Sequence, residues 1–228
     1  MSIRKRIFAF LLALAITPLV SVSASDRLYR KSGLDKKQIA LTFDDGPSRQ
    51  NTEAILEILD QYNIKATFFV IGQNAKKDPE RIKLIYEKGH EIGNHTYTHA
   101  YISKISEEAL KDEIQKTEEV LTEITGEKPK VFRPPGGFYS DASLNLVEKM
   151  GYQVVLWSLD TRDWSMPKSH KIAANVEENA GCGDIILFHD LEDARLPTPE
   201  ALKLIIPKLI EEGYEFITVS EMIENEAD

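Results

Sequence analysis

From residue 38 onward, short apolar runs of β-forming residues alternate with longer amphipathic runs, and no other feature restricts the fold of this chain so strongly. The period-two and apolar runs predict strands at 38–43, 66–71, 90–94, 131–133, 153–159, 184–188 and 215–219. Between them, helical spacing predicts helices at 52–62, 79–88, 106–125 and 141–150, with two more near 170–178 and 199–211. In the first, Ile55, Leu56, Ile58 and Leu59 mark the buried side, and Gly89, Gly126 and Gly151 stop the next three. Repeated βα units imply a parallel sheet, either open or closed into a barrel. The chain is 42% hydrophobic and 29% charged, ordinary for a globular protein, and about 200 residues are enough for one such domain. No linker, low-complexity tract or second domain interrupts the pattern.

The polar residues capable of chemistry fall at one end of these strands. Asp44 and Asp45 follow the first, His95 follows the strand at Glu91, Arg133 ends the next, Asp160 and Asp163 follow Trp157-Ser158, and His189 follows Phe188. In parallel α/β folds the C-terminal strand ends carry the active site.

Two short runs define the chemistry. Thr42-Phe43-Asp44-Asp45-Gly46-Pro47 puts two carboxylates side by side, and His95-Thr96-Tyr97-Thr98-His99 puts two imidazoles four residues apart. On a helical turn such a pair would share one face, with Cβ atoms roughly 6 Å apart. Asp45 would complete a two-His, one-carboxylate set with an open position, the composition of a catalytic metal site. Asp44, left over beside it, is a ready general base. Successive strand residues face opposite ways, but Gly46-Pro47 ends the pairing and frees both carboxylates to turn to one point. Each run has a plainer reading: Asp-Gly and Gly-Pro are common turn dipeptides, and Asn94 could simply cap a turn starting at His95.

Together these residues resemble the polysaccharide deacetylase family, the NodB-homology carbohydrate esterases (carbohydrate esterase family 4), over about residues 37–223. Thr42 to Pro47 resembles the family's first motif and His95 to His99 its second. Arg133-Pro134-Pro135-Gly136-Gly137 resembles the third, Asp163-Trp164 the fourth, and Ile185-Ile186-Leu187-Phe188-His189 the fifth. The resemblance implies a single distorted (β/α) barrel with seven parallel strands, hydrolysing N-acetyl or O-acetyl groups on sugar polymers. It implies that Asp45, His95 and His99 bind a divalent metal, usually Zn2+ with Co2+ another option. Asp44 matches the base, His189 the acid, Arg133 the residue holding the base and Asp163 the carboxylate tuning the acid. Trp164 and Leu187 match the walls of the acetyl pocket, and the Gly136 N–H the oxyanion contact. Apart from the resemblance, Arg133 and Asp163 could form a structural ion pair, and Trp164 could be core. His90 and His170 are read as structural or surface. Two departures stand out: Gly136 and Gly137 occupy places where a bulky aromatic often follows the prolines, with Phe138 and Tyr139 just beyond. The segment 191–199 also differs from the usual Gly-rich loop and is expected to rim the groove.

Residues 1–24 differ from the rest. Arg4, Lys5 and Arg6 precede an apolar stretch, and Val22-Ser23-Ala24 forms a small-residue cleavage site; this reads as a secretory signal, too short for a regular spanning helix although an uncleaved anchor is the alternative. The expected division is signal 1–24, a short segment 25–36, the catalytic domain 37–223 and a tail 224–228. Export places the protein outside a bacterial cell or at its envelope. The lone Cys182 cannot pair internally and reads as a small buried hydrophobe. Loss of the signal's three basic residues takes the formal charge from −9 to −12, which argues against nucleic acid as a partner. No protein partner is indicated. The expected substrate is acetylated polysaccharide or oligosaccharide, N-acetylglucosamine-containing peptidoglycan first and chitin-like chains second. An O-acetyl xylan esterase and a catalytically silent carbohydrate-binding barrel are the alternatives.

Overall fold

The computed structural model describes residues 28–227; the expected signal segment lies outside the described residues. Nine strands form one sheet: β1 (Leu28–Tyr29), β2 (Gln38–Asp44), β3 (Thr67–Val70), β4 (Glu91–Asn94), β5 (Val131–Phe132), β6 (Gln153–Val155), β7 (Leu159–Asp160), β8 (Ile185–His189) and β9 (Glu215–Phe216). Their order is β1-β6-β5-β4-β3-β2-β8-β7, with β9 beside β2. Every pairing between these strands is parallel. Eight helices cover the sheet: α1 (Asn51–Gln61), α2 (Gly72–Lys77), α3 (Pro79–Glu87), α4 (Glu107–Thr125), α5 (Asp141–Lys149), α6 (Ser169–Asn179), α7 (Thr198–Glu211) and α8 (Val219–Ala227).

The distorted (β/α) barrel is present, with two more strands than the seven expected. One is β1. The other arises because 153–159 is not one strand: β6 pairs with β5 and β1, whereas β7 pairs with β8 at the far end of the sheet. Residues 156–158 carry the chain between those ends, with Leu156 N–H bonded to Tyr29 O and Ser158 N–H to Ile185 O. This crossing bends the sheet round on itself.

Alternation along the strands separates the barrel interior from the helix layer. On β2, Ile39, Leu41 and Phe43 join the cluster shared with α1, α6 and α7, while Ala40 packs with Phe69, Val131, Val155 and Ile185 inside. Thr42 and Asp44 therefore face inward above that apolar floor. Phe43 stacks between Phe68 and Phe188 at 5.0 and 5.7 Å on the other face.

Local signals account for most helix ends. Ser106 accepts a hydrogen bond from Ala109 N–H at the start of α4, and Gly126 closes that helix at φ 79°. Three elements differ from the sequence reading. The six-residue α2 is too short to show a period. The strand expected at 215–219 stops at Phe216, because Thr218 and Glu221 exchange backbone-to-side-chain bonds that start α8. Residues 224–227, expected as a tail, end that helix, and Glu226 bonds Tyr29 Oη (2.7 Å) and Gly33 N–H (2.8 Å). Cys182 is half-buried rather than core. Among the described residues, no helix is long and apolar enough to cross a membrane.

Candidate active site

Register brings the acid and base positions together. Asp44 ends β2 and His189 ends β8, and they are direct partners in the β2–β8 ladder, as are Thr42 and Leu187. A one-residue slip of either strand would turn its two residues away from the interior. Asp45 follows in the left-handed region at φ 76°, a conformation costing about 1–3 kcal/mol for a residue with a Cβ. That turn is what lets adjacent carboxylates face one cleft. Asn74 Nδ2 to Asp45 O (3.0 Å) and Ile71 N–H to Gly46 O (3.0 Å) hold it from the neighbouring β3–α2 segment.

The His95–His99 segment is not the helical turn expected. It is an irregular loop with Thr96 and His99 at φ 65° and 61°. Asn94, the expected cap, ends β4, and its Oδ1 accepts from Thr96 N–H at 3.0 Å. Glu113 of α4 does what no sequence signal indicated. Its Oε2 accepts from Tyr97 N–H (2.8 Å) and Thr98 N–H (2.7 Å), and its Oε1 from Thr98 Oγ1 (2.8 Å). Opposite, Gly72 and Gln73 N–H bond the carbonyls of Thr96 and Tyr97. Clamped so, the imidazoles converge with ring centroids 5.2 Å apart.

One ligand atom each from Asp45, His95 and His99 lies within 4.8 Å of the others, the only such group among the described residues. His95 donates from Nδ1 to Arg133 O at 2.7 Å, leaving its Nε2 lone pair toward Asp45. Asp45 Oδ1 lies 3.1 Å from His99 Nε2 and 3.5 Å from His95 Nε2, yet it is buried with no bond of hydrogen-bonding geometry. Burial alone would raise the Asp45 carboxyl, but the two imidazoles hold it well below the usual carboxylate range. Two imidazole nitrogens and an ionised oxygen converging on one point, the oxygen otherwise orphaned, fit a divalent ion such as zinc or cobalt.

Arg133 and Asp163 are not an ion pair with each other; each stands behind one proton-transfer group. Arg133, wholly buried, donates from Nη1 to Asp44 Oδ1 (2.7 Å) and Thr42 Oγ1 (2.8 Å), and from Nη2 to Leu156 O (3.0 Å). Asp44 keeps Oδ2 for the cleft, 3.8 Å from His95 Nε2. Asp163 accepts four bonds: from His189 Nδ1 (2.7 Å), Trp164 N–H, His189 N–H and Thr198 Oγ1. All of its lone-pair sites are thereby used, and His189 Nε2 is left for the cleft. Burial disfavours a charged ring at His189, but the Asp163 bond and charge override it and push the imidazole up to about 9.

The cleft has a volume of about 480 Å³ and takes Asp44, Asp45, His95, His99, Gly136, Trp164, Leu187 and His189 into its lining. Trp164 is 46% exposed, so it is no core residue. Tyr101, Phe138, Trp157 and Asp160 line it as well. The sequence placed Asp160 at a strand end and Phe138 beside the third motif, but nothing marked Tyr101. Residues 191–199 do not line the cleft. Their backbone is drawn to α1, where Asn51 Nδ2 bonds Leu191 O (2.7 Å) and Asp193 O (2.9 Å). Asp190, wholly buried and unmarked by sequence, accepts from Thr52 Oγ1 and is pushed up to about 7 by burial. His90 is buried and bonded to Ala66 N–H, and His170 is exposed, both as expected. A second cavity of about 580 Å³ opens at the opposite ends of the strands, beside Glu91, far from this chemistry.

A parallel barrel with a buried carboxylate, an anchored imidazole and a group able to hold a metal ion at its C-terminal strand ends has the framework of a hydrolase. The sequence profile of the polysaccharide deacetylase family matches residues 31–155, and the chain belongs to that family. A peptidoglycan-N-acetylglucosamine deacetylase of Bacillus cereus is 44% identical over 191 residues, covering 83% of this chain and 89% of that one. The crystal structure of a peptidoglycan N-acetylglucosamine deacetylase bound to an N-oxidanyl-benzamide superposes with TM-score 0.84 at 39% identity, covering 86% of this chain and 92% of the other. A family 4 acetyl xylan esterase from Clostridium thermocellum holding a cobalt ion superposes with TM-score 0.77 at 38% identity, covering 82% and 90%.

Two outcomes follow from these supports. Glu113→Ala should weaken zinc or cobalt binding about 10- to 100-fold, as loss of an outer support does, measured by competition with a chelating dye; unchanged affinity would show that the loop needs no clamp. In metal-free protein, His189 should be charged below about 9 and lose its proton as pH rises through that value. Asp163→Asn removes the strongest raising partner and leaves burial opposed only by the Asp44 and Asp45 charges, so the His189 ring NMR titration should fall well below about 9.

Proposed function

We propose that this chain is an exported, divalent-metal-dependent deacetylase that removes N-acetyl groups from N-acetylglucosamine-containing polymer, peptidoglycan foremost. The observation that carries this is one cleft holding a convergent ligand triad between two separately anchored proton-transfer groups, Asp44 and His189. The peptidoglycan deacetylases among its relatives support the choice of polymer, and the character of residues 1–24 supports export.

An ion held by Asp45, His95 and His99 would polarise the acetamide carbonyl and acidify a water in the cleft. Asp44 takes the proton of the attacking water on Oδ2, the oxygen that Arg133 leaves free. The Gly136 N–H donates to the developing oxyanion, a contact worth about 3 kcal/mol where such donors have been removed. His189 gives its Nε2 proton to the departing nitrogen, without which an amine cannot leave. Trp164 and Leu187 enclose the acetyl methyl group. Acetate and a free amino sugar result, and the proton that Asp44 took from water is passed through solvent to His189, restoring both groups.

Acetate release from N-acetylglucosamine oligomers, muropeptides and acetyl-xylan, followed by mass spectrometry, tests the reading. Asp44→Asn should lose about 100- to 10,000-fold in turnover with metal still bound; wild-type turnover would remove Asp44 from the reaction. His189→Ala should harm amide substrates more than O-acetyl esters, since an alkoxide needs less help to leave. Activity on acetyl-xylan alone would establish the esterase instead, and none on any glycan would favour a silent binding barrel. For export, N-terminal sequencing of the envelope or secreted form should begin near Ser25; an intact Met1 on membrane-integrated protein would favour the anchor.

A further inference from the structure

The cleft mouth carries large apolar side chains that no step of the reaction uses. Phe138 is 58% exposed and Tyr101 42%, and both line the cleft. Their rings meet edge to face, centroids 5.7 Å apart at 76°. They come from the loops after β4 and β5, which are neighbours in the sheet. Gly136 explains how they meet. At φ 63°, a Cβ there would lie 3.0 Å from the Phe138 ring and 3.1 Å from Tyr101 Cε1. The missing side chain at 136 is what admits the Phe138 ring beside Tyr101. Aromatic surface absent from the position after the prolines is thus supplied from Phe138.

Two exposed aromatics held edge to face inside a binding cleft are a recognition surface rather than unfinished core. Trp164 stands on the loop after β7, four places along the sheet from β4. In a barrel that separation puts it across the mouth. A sugar whose acetyl group reaches Trp164 and the ligand triad would direct its linked neighbour toward Phe138 and Tyr101. The apolar C–H face of a pyranose suits an open aromatic ring.

A cation completes the corner. Lys104 Nζ lies 5.0 Å from the Tyr101 centroid, and among the described residues no carboxylate pairs with it. In a chain of formal charge −9, an ammonium beside a sugar platform would favour an anionic substituent on the sugar bound there.

We propose that Phe138, Tyr101 and Lys104 form a subsite for the sugar adjoining the reacting one, and that this sugar bears a carboxylate. The lactyl ether of peptidoglycan's muramic acid unit has this chemistry, and chitin does not. The assignment rests on the deacetylase reading above and narrows it.

Binding is measured by calorimetry on the metal-loaded Asp44→Asn protein, which leaves the glycan intact, and acetate release is measured separately on the protein with Asp44. The two ligands are the neutral N-acetylglucosamine tetramer and a peptide-free peptidoglycan tetrasaccharide. Phe138→Ala should weaken both about three- to tenfold, and Phe138→Trp should restore them. Lys104→Gln should weaken only the carboxylate-bearing ligand, about two- to fivefold at low salt, and the difference should shrink as salt rises. Unchanged affinity in Phe138→Ala, or no binding of either glycan by the parent, overturns the subsite. An equal effect of Lys104→Gln on both ligands, or none, overturns the placement of the carboxylate. The expected binding pattern with no acetate released from any glycan would leave the subsite standing and remove the deacetylase reading.

Discussion

The site depends on one buried guanidinium. Arg133 is wholly enclosed, yet it reaches β2 through Thr42 and Asp44, the crossing between β6 and β7 through Leu156 O, and the ligand loop through its own carbonyl, which accepts from His95. Its plane lies over the Phe69 ring at 4.0 Å and near Trp157 at 5.7 Å. Removing a charge from water costs several kcal/mol, and a buried pair offsets this only with good geometry and further hydrogen bonds. Arg133 has both, except at Nε, which finds no partner. Lysine could not replace it, because a point charge cannot hold three acceptors in one plane. Asp44, His95 and the barrel's closing segment are therefore fixed relative to each other by a single residue.

Strand register supplies coarse placement and left-handed backbone supplies the rest. Asp44 and His189 are aimed inward by the pleat, but Asp45, Thr96 and His99 all have positive φ. Such residues persist only where surrounding bonds over-determine them. Here those bonds come from Asn74 at Asp45 and from Asn94 and Glu113 at the histidine loop. The strain lies in the segments that present ligand atoms, while the apolar floor of Ala40, Phe69, Val131, Val155 and Ile185 beneath them is regular.

This division explains what was legible in the sequence. Apolar alternation on β2 and β8 and the spacing of α1 and α4 follow from burial, so the barrel could be read, and the strand-end residues came with it. Eight of the ten expected site residues line the cleft, and Arg133 and Asp163 stand directly behind it. The helical turn at His95–His99 could not survive, because Thr96 and His99 adopt a conformation that spacing does not report. Glu113 was invisible for a related reason: a Glu on an amphipathic helix looks like solvated surface whether or not a distant loop closes on it. Thr198, Asp190 and Tyr101 act through contacts far apart in the chain. By contrast, α8 had a readable start in Thr218 and Glu221, outweighed by the apolar run before it.

Asp44 and His189, the base and acid of the proposed reaction, are anchored by separate means, and this would separate chemistry from selectivity. Asp44 is held by the cation that follows β5, and His189 by a carboxylate from the loop after β7 that is itself saturated with donors. Neither anchor reaches the cleft mouth, so the surrounding loops can change without disturbing either proton-transfer group. The polysaccharide deacetylase fold can therefore keep one acetyl-cleaving centre while the side chains around the mouth differ. In this chain the glycine at 136 makes that freedom concrete: it leaves room beside the backbone for aromatic surface supplied from Phe138 and Tyr101.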